Sequence, residues 1–454
     1  MINPFKKYRD FRSRFISLPA YYGRNFIKNY NFLLKSKLWD REQLQTYKLN
    51  QLKLLVAHAE NNVPYYRELF KQNSISSAQI NTFEDFSQIP ILTRNIIKNN
   101  IDRLKADNFQ SYSPIKTETS GTTGEVATVY RSAYHESFRL AAKWRQWNSY
   151  GYGFKQRRAN ITMPWSNRVD DEVCELDKIE NSLIINTFHI IAGNSDKVIN
   201  RLKDFKPRLI WAQPTVLAAL SEYIINHGIE PFEVDNIATY GEKSYPHVRK
   251  VIKQAFKGDY FEYYGNRENS IGAWGKWDNK FYELSEYCHL EIDKQTAVVE
   301  HPSAGELIST SLHNYAFPLI RYNSQDLAIM NGYISENDNY PQVELLGGRG
   351  KDLLLSSKGL TVPYLPHLYE RKILNLIKKY QLYQKSINEV ILKLVPLPDF
   401  DRKHDAEVMV EQFTKMLANN FQVSIEYVDD IPVTKSGKYP MAVSPLAIDY
   451  LIKL

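Results

Sequence analysis

Apolar positions near the start of the chain recur at helical spacing. In "REQLQTYKLNQLKLLVAHAENN" (41–62), Leu44, Tyr47, Leu52, Leu55, Val56 and Ala59 fall on one broad stripe. "VPYYRELF" and "LTRNIIKNN" continue the pattern, punctuated by Pro64 and Pro90, so residues 1–110 predict a helical lead-in. After residue 111 the pattern changes. A short apolar strand, Leu209 to Ala212, is followed by "PTVLAALSEYIINHG", with Pro214 suited to a first helical turn and Gly228 to a C-terminal cap. The strand "NIATYG", the helix "PHVRKVIKQAFKG" and the strand "DYFEYYG" come next. This alternation predicts an α/β domain with a mainly parallel, helix-covered sheet. Residues 285–330 read as β-hairpins and 343–364 as a further strand-rich stretch, together a β-rich subdomain. The last hundred or so residues return to helix ("PHLYERKILNLIKKY", "AEVMVEQFTKMLANNF") and strand ("EVILKLVPL"), closing on the loop "IPVTKSGKYP".

A chain of 454 residues exceeds one compact core. The Gly-containing turns near Gly350 predict a boundary between a large domain, 1–350, and a small mobile α+β domain, 351–454. Composition is that of a soluble globular protein, 43 % apolar and 24 % charged. The net charge of +7 is a mild bias toward anionic partners, and no block of like charge suggests a nucleic-acid arm. Two distant cysteines, Cys174 and Cys288, argue against a disulfide framework or a cysteine zinc site. No apolar run is long enough to cross a bilayer, and the N-terminus lacks a signal-peptide apolar region, so a cytoplasmic location is expected. Lys6, Lys7, Arg9, Arg12 and Arg14 interleave with Phe5, Tyr8, Phe11 and Phe15. That leaves open peripheral membrane contact, against a plainer helix packed on the body.

Ligands of parallel sheets sit at the carboxyl ends of strands, and two of those ends carry "YGEK" (240–243) and "YYGNREN" (263–269). Upstream, "SGTTG" (120–124) concentrates hydroxyls and glycines between strand-like segments. It is either a solvated turn or a backbone cradle for an anion. It is not a Walker A loop, because no Lys-Ser/Thr follows Gly124. "RYNSQDLA" places Asp326 after a turn, where it caps the turn or accepts hydrogen bonds from a diol. "GGRGKD" sets Arg349 and Lys351 among glycines, and "PVTKSGK" sets Lys438 in a loop. Each of these alone reads as readily as solvated surface.

Taken in chain order, the six stretches resemble the motif series of the adenylate-forming superfamily of acyl-CoA ligases, peptide-synthetase adenylation domains and luciferases. "LLVAHAENNVPYYRELF", "QIPILTRNIIKNN" and "RLIWAQPTVLAALSEY" resemble its phenylacetate–CoA ligase-like branch, which includes capsular polysaccharide proteins. The resemblance implies an ATP-dependent, AMP-forming carboxylate ligase. Ser120, Gly121, Thr122, Thr123 and Gly124 would hold the ATP phosphates. Gly241, Glu242, Tyr264 and Gly265 would line the adenine slot, and Glu268 would hold Mg²⁺. Asp326 and Arg349 would serve the ribose, with Lys351 as hinge and Lys438 reaching to the carboxylate and α-phosphate.

The implied reaction releases pyrophosphate, leaving an acyl-adenylate. CoA is one acceptor. An amine or hydroxyl of a sugar, amino acid or carrier is the other, and a non-catalytic nucleotide-binding scaffold is a third reading. Three departures stand out: Arg267 precedes Glu268 where the family usually has Thr or Ser, Gln325 replaces a glycine before Asp326, and no basic residue closes the phosphate loop. Gln325 requires a tight turn to be made otherwise, and Arg267 adds a cation near the substrate. The acyl pocket is expected from 163–176, the region after Phe188 and the segment after Gly265, with Trp165, Phe188 and Trp274 as aromatic candidates. A homodimer is compatible with all of this.

Overall fold

The computed structural model describes residues 17–118, 128–162, 173–191, 193–242, 244, 246–278, 280–293, 304–347, 354–357, 359–361, 376–417, 419–431 and 442–447. The phosphate-loop candidate, the boundary near Gly350 with Arg349 and Lys351, and the loop of Lys438 lie outside them, as does the basic-aromatic N-terminus.

The lead-in is helical. The helix Arg41–Asn62 starts on a reciprocal cap: Asp40 accepts from the Gln43 N–H and the Gln43 side chain accepts from the Asp40 N–H. Its stripe buries Leu44, Leu52, Leu55, Val56 and Ala59. Leu52, Leu55, Val56 and Ala59 join Tyr66, Phe70, Phe86, Leu92 and the chain around Phe317–Tyr322 in one core.

A twelve-stranded sheet organises the large unit. At its centre Ser182–Asn186, Arg158–Thr162, Leu209–Ala212, Phe232–Tyr240 and Phe256–Gly265 pair in parallel, in that order. All four residues of Leu209–Ala212 are buried, as expected of a strand covered on both faces. The helix Pro214–Asn226 opens with Pro at its first position and packs with Pro246–Ala255 on one face. Helices Arg24–Ser36 and Ala133–Ser149 cover the other, with Trp144 and Trp147 in its core. Beyond Phe256–Gly265 the sheet continues antiparallel through Gly272–Lys276, Lys280–Glu283, Gln342–Gly347, Tyr322–Gly332, Ala304–Ser311 and Cys288–Ile292. The hairpin-rich region is therefore an extension of the same sheet.

Two boundaries move. The helix expected to run to Gly258 ends at Ala255, because Phe256–Gly258 already pairs with the neighbouring strand. A side chain at Gly258 would meet the Val234 carbonyl oxygen at 1.8 Å, so only glycine fits there. Similarly, Ile377–Ser386 is a strand, although the expected helix ran to Tyr380. It pairs antiparallel with Glu389–Pro396, and Gln422–Tyr427 and Ala442–Val443 flank the pair in parallel. The helix His404–Met416 packs on this four-stranded sheet, with Phe413 against Tyr380. Among the described residues, no helix is long and apolar enough to cross a membrane.

One buried ion pair ties the helical layer to the sheet. Arg145 donates to Glu286 at 2.7 Å, with 2 % and 0 % of the side chains exposed. Ser36 and Tyr340 also donate to that carboxylate. Removing one partner strands the other charge away from water. Arg145→Ala is therefore expected to cost about 3–5 kcal/mol, read as a lowered urea midpoint. A midpoint within experimental error of the parent would refute this role for the pair.

Candidate functional site

Parallel pairing brings the predicted strand ends level. Tyr240 is the register partner of Tyr263, so Gly241 and Glu242 emerge beside Tyr264 and Gly265. Gly241 has φ +79, a conformation suited to glycine at this sharp exit. Glu242 turns toward the start of the helix Pro214–Asn226, where it accepts from the Thr215 hydroxyl at 2.6 Å and its N–H at 3.3 Å. A carboxylate at a helix N-terminus meets unpaired N–H groups and the positive end of the dipole.

Tyr264 donates its hydroxyl to Asp326 at 2.8 Å. Burial, then the Asp326 charge, push this phenol well above its ordinary range, so it stays a donor. Asp326 follows a turn in which Gln325 itself adopts φ +60. Two hydrogen bonds compensate: Asn323 accepts from the Gln325 N–H at 2.7 Å and Ser324 from the Asp326 N–H at 3.2 Å. The missing glycine is thus replaced by strain held by two side chains.

Glu268 lies 6 % exposed in the loop after Gly265. Tyr322 donates to its Oε1 at 2.8 Å, and the Arg94 guanidinium lies 3.5 Å from the same oxygen. Sequence reasoning missed both partners. Arg94 sits in "LTRNIIKNN" and Tyr322 four residues before Asp326, yet neither spacing points to Glu268. Arg267 is exposed, and the cation that meets Glu268 is Arg94. Arg321, at the start of the Asp326 motif, is bound instead to Glu291 and to the carbonyls of Ser87 and Ile89.

The fit to a metal can be tested on this geometry. Arg94 and Tyr322 both address Oε1, and among the described residues nothing donates to Oε2. Among them there is also no cluster of three metal-ligating side chains. One carboxylate oxygen fits Mg²⁺, which commonly takes one or two protein carboxylates and completes its shell with phosphates and water.

The loop of Glu268 is anchored from below. Its Asn269 carbonyl meets His135 Nε2 at 3.0 Å and accepts from the Tyr287 hydroxyl at 2.8 Å. The Asn269 side-chain amide donates to Glu136 at 3.2 Å. The candidate phosphate loop spans two strands, Ile115–Glu118 and Thr128–Arg131, that pair antiparallel. Of the aromatic candidates, Trp274 is buried with its ring 4.7 Å from Tyr263. Trp165 and the side chain of Phe188 lie outside the described residues.

Thus Tyr264, Glu268 and Asp326 meet at one edge of the sheet, with Gly241, Glu242 and Gly265 at the adjoining strand ends. The fold is shared with a solved acyl-CoA ligase. A crystal structure of 2-hydroxyisobutyryl-CoA ligase in complex with 2-HIB-AMP and CoA, in the thioesterification state, superposes with TM-score 0.61 at 15 % identity, covering 91 % of this chain and 92 % of that one. The postadenylation state of the same ligase, in complex with R3-HIB-AMP, gives 0.54 at 14 % identity over 90 % and 91 %.

The chain itself is a homologue of CapK and of phenylacetate–CoA ligases. Protein CapK of Staphylococcus aureus is 25 % identical over 401 residues, 85 % of this chain and 86 % of that one. Phenylacetate-coenzyme A ligase of Pseudomonas putida is 23 % identical over 371 residues, 76 % and 78 %. The family model of the CapK C-terminal domain matches residues 354–445.

Two outcomes follow from this geometry. Gln325→Gly removes the left-handed strain and is expected to be neutral or stabilising by up to about 1 kcal/mol in urea unfolding; a clear loss of stability would contradict the strained turn. Burial, then the neighbouring His313, push the His135 imidazole down to about 3 from its usual 6.5. Folded His135 is therefore neutral where the unfolded residue takes a proton. Its stabilising contribution is complete above pH 6.5 and is lost as pH falls toward 3. His135→Gln is expected to flatten that part of the stability–pH curve, and parallel curves would exclude His135 as the cause.

Proposed function

We propose that the protein is an ATP-dependent, AMP-forming ligase that activates a carboxylic acid as its acyl-adenylate and passes the acyl group to CoA. The observation that carries this is the convergence of Tyr264–Asp326 and Glu268–Tyr322 at the ends of the parallel strands. Asp326, oriented by the Tyr264 hydroxyl, is placed to accept both ribose hydroxyls. Tyr264 and the backbone at Gly241, Glu242 and Gly265 border the adenine. Ser120 to Gly124 supply hydroxyls and N–H groups to the phosphates, and Arg349 serves the ribose. Glu268, with Arg94 and Tyr322 holding its Oε1, presents Oε2 for Mg²⁺. Such an ion, when bound, disperses triphosphate charge as the acid attacks the α-phosphorus.

Lys438 brings a cation to the carboxylate and α-phosphate, and movement about Lys351 withdraws it once pyrophosphate has left. Large domain 1–350 and small domain 351–454 are the bodies of that motion. A second reading passes the acyl group to an amine or hydroxyl instead. It rests on the similarity to CapK, whose C-terminal family model covers the small unit.

The test is pyrophosphate release from ATP and Mg²⁺ across a panel of carboxylic acids, followed by addition of CoA or, separately, amines and amino sugars. Release with at least one acid and turnover with CoA are expected. Turnover only with amines or hydroxyls would select the second reading, and no release together with no ATP binding would discard both. Lys438→Ala is expected to slow adenylation by about 10²–10³ while ATP affinity, measured by calorimetry, is nearly unchanged. Unaltered release would remove Lys438 from its role.

A further inference from the structure

The helix Ala133–Ser149 lies beneath the Glu268 loop and carries a row of charged side chains. Glu136, Arg139 and Lys143 are three and four residues apart and share one face of it. Glu136 is fully engaged: Arg131 donates at 2.8 Å, Arg139 through Nε at 3.1 Å, and the Asn269 amide at 3.2 Å. Two turns further on, Lys143 Nζ lies 4.8 Å from the centre of the Trp147 ring, and the Arg158 guanidinium lies 4.7 Å from the same ring. Arg158 pairs with Glu180, whose other oxygen accepts from Tyr22 at 2.6 Å. Lys143 has no ion pair or hydrogen bond with a described residue. Among the described residues, Glu136 pairs with Arg131 and Arg139, Glu180 pairs with Arg158, and Lys143 pairs with neither.

These side chains wall a cleft. Arg139 keeps 23 % of its side chain accessible although protein atoms surround it almost completely. Lys143 is likewise enclosed yet partly accessible. Across from Arg139 stands Tyr263, close enough to feel its charge. Tyr240 stands beside Tyr263, with Trp211 stacked on it at 4.5 Å. Both tyrosines immediately precede the nucleotide-side residues Gly241 and Tyr264. The cleft therefore runs from the Glu268–Asn269 loop to Lys143, which makes no ion pair with a described residue. Burial, then Arg139 and Arg158, push the Lys143 ammonium down to about 7, and the charges of Glu180 and Glu136, neither of them paired with it, do not offset this.

We propose that this aromatic cleft is the acyl pocket and that it selects carboxylic acids bearing a second anionic group, bound by Lys143 and Arg139. The inference rests on the adenylating function proposed above. Lys143 lies two helical turns, about 10 Å along the helix, from Glu136, which holds the Asn269 amide of the Glu268 loop, so a second anionic group roughly that far from the reacting carboxyl reaches Lys143. A second carboxylate at that distance gives Lys143 a direct partner, whereas an apolar tail leaves it enclosed without one among the described residues.

The test compares matched acids, octanoate with suberate and cinnamate with 4-carboxycinnamate, by kcat/KM in ATP–pyrophosphate exchange. ATP affinity is measured calorimetrically on the same preparations. The diacids are expected to be favoured by about tenfold or more, as for a charged hydrogen bond. Lys143→Met is expected to erase that advantage with ATP affinity retained, and Lys143→Arg to keep part of it. ATP binding and monoacid exchange with no diacid preference, or a preference that survives in Lys143→Met, would overturn this inference and leave the adenylating function standing. Absence of ATP binding and of exchange with every acid would overturn both.

Discussion

Parallel pairing of Arg158–Thr162, Leu209–Ala212, Phe232–Tyr240 and Phe256–Gly265 makes the strands run the same way and end at one edge. Parallel strands need long crossovers, here helices, and each crossover returns the chain to the same side. Loops carrying Gly241, Glu242, Tyr264 and Glu268 therefore emerge together, next to helix starts whose N–H groups favour negative charge. The antiparallel extension of the same sheet then delivers Asp326 and Tyr322 to that edge from the other side.

Carboxylates around this edge are buried or half-buried, and each is met by at least one donor from a distant part of the chain. Glu268 is held by Arg94 and Tyr322, Glu136 by Arg131, Arg139 and Asn269, and Glu286 by Arg145, Ser36 and Tyr340. A buried carboxylate without such partners would be expelled or protonated. These contacts lock the helical lead-in, the helix Ala133–Ser149 and the sheet into one framework. They also distinguish the two kinds of charge near the site. Glu268 and Glu136 have direct cationic partners, whereas Lys143 forms no ion pair with a described residue, and that asymmetry points toward a ligand.

Much of the architecture could be read directly. The stripe of Arg41–Asn62, the four-residue apolar run Leu209–Ala212 and Pro214 at a helix start follow from spacing and backbone chemistry. Where the reading slipped, at Phe256–Gly258 and Ile377–Tyr380, local apolar spacing suited a helix but pairing with neighbouring strands prevailed. Gly241, Tyr264, Glu268 and Asp326 stood out through the resemblance of the motif series rather than through residue type, since each motif alone reads as readily as solvated surface.

The sequence by itself determined the order of helix and strand, the motif series and the homology to ligases, because these depend on local spacing and residue type. Tertiary structure alone decided which distant residues meet. Arg94 reaches Glu268 across more than 170 positions of chain, Gln325 stands in for glycine because Asn323 and Ser324 support it, and Lys143 lies against Trp147 with no ion pair to a described residue. Long-range charge pairing depends on how layers pack, and no periodicity along the chain records it.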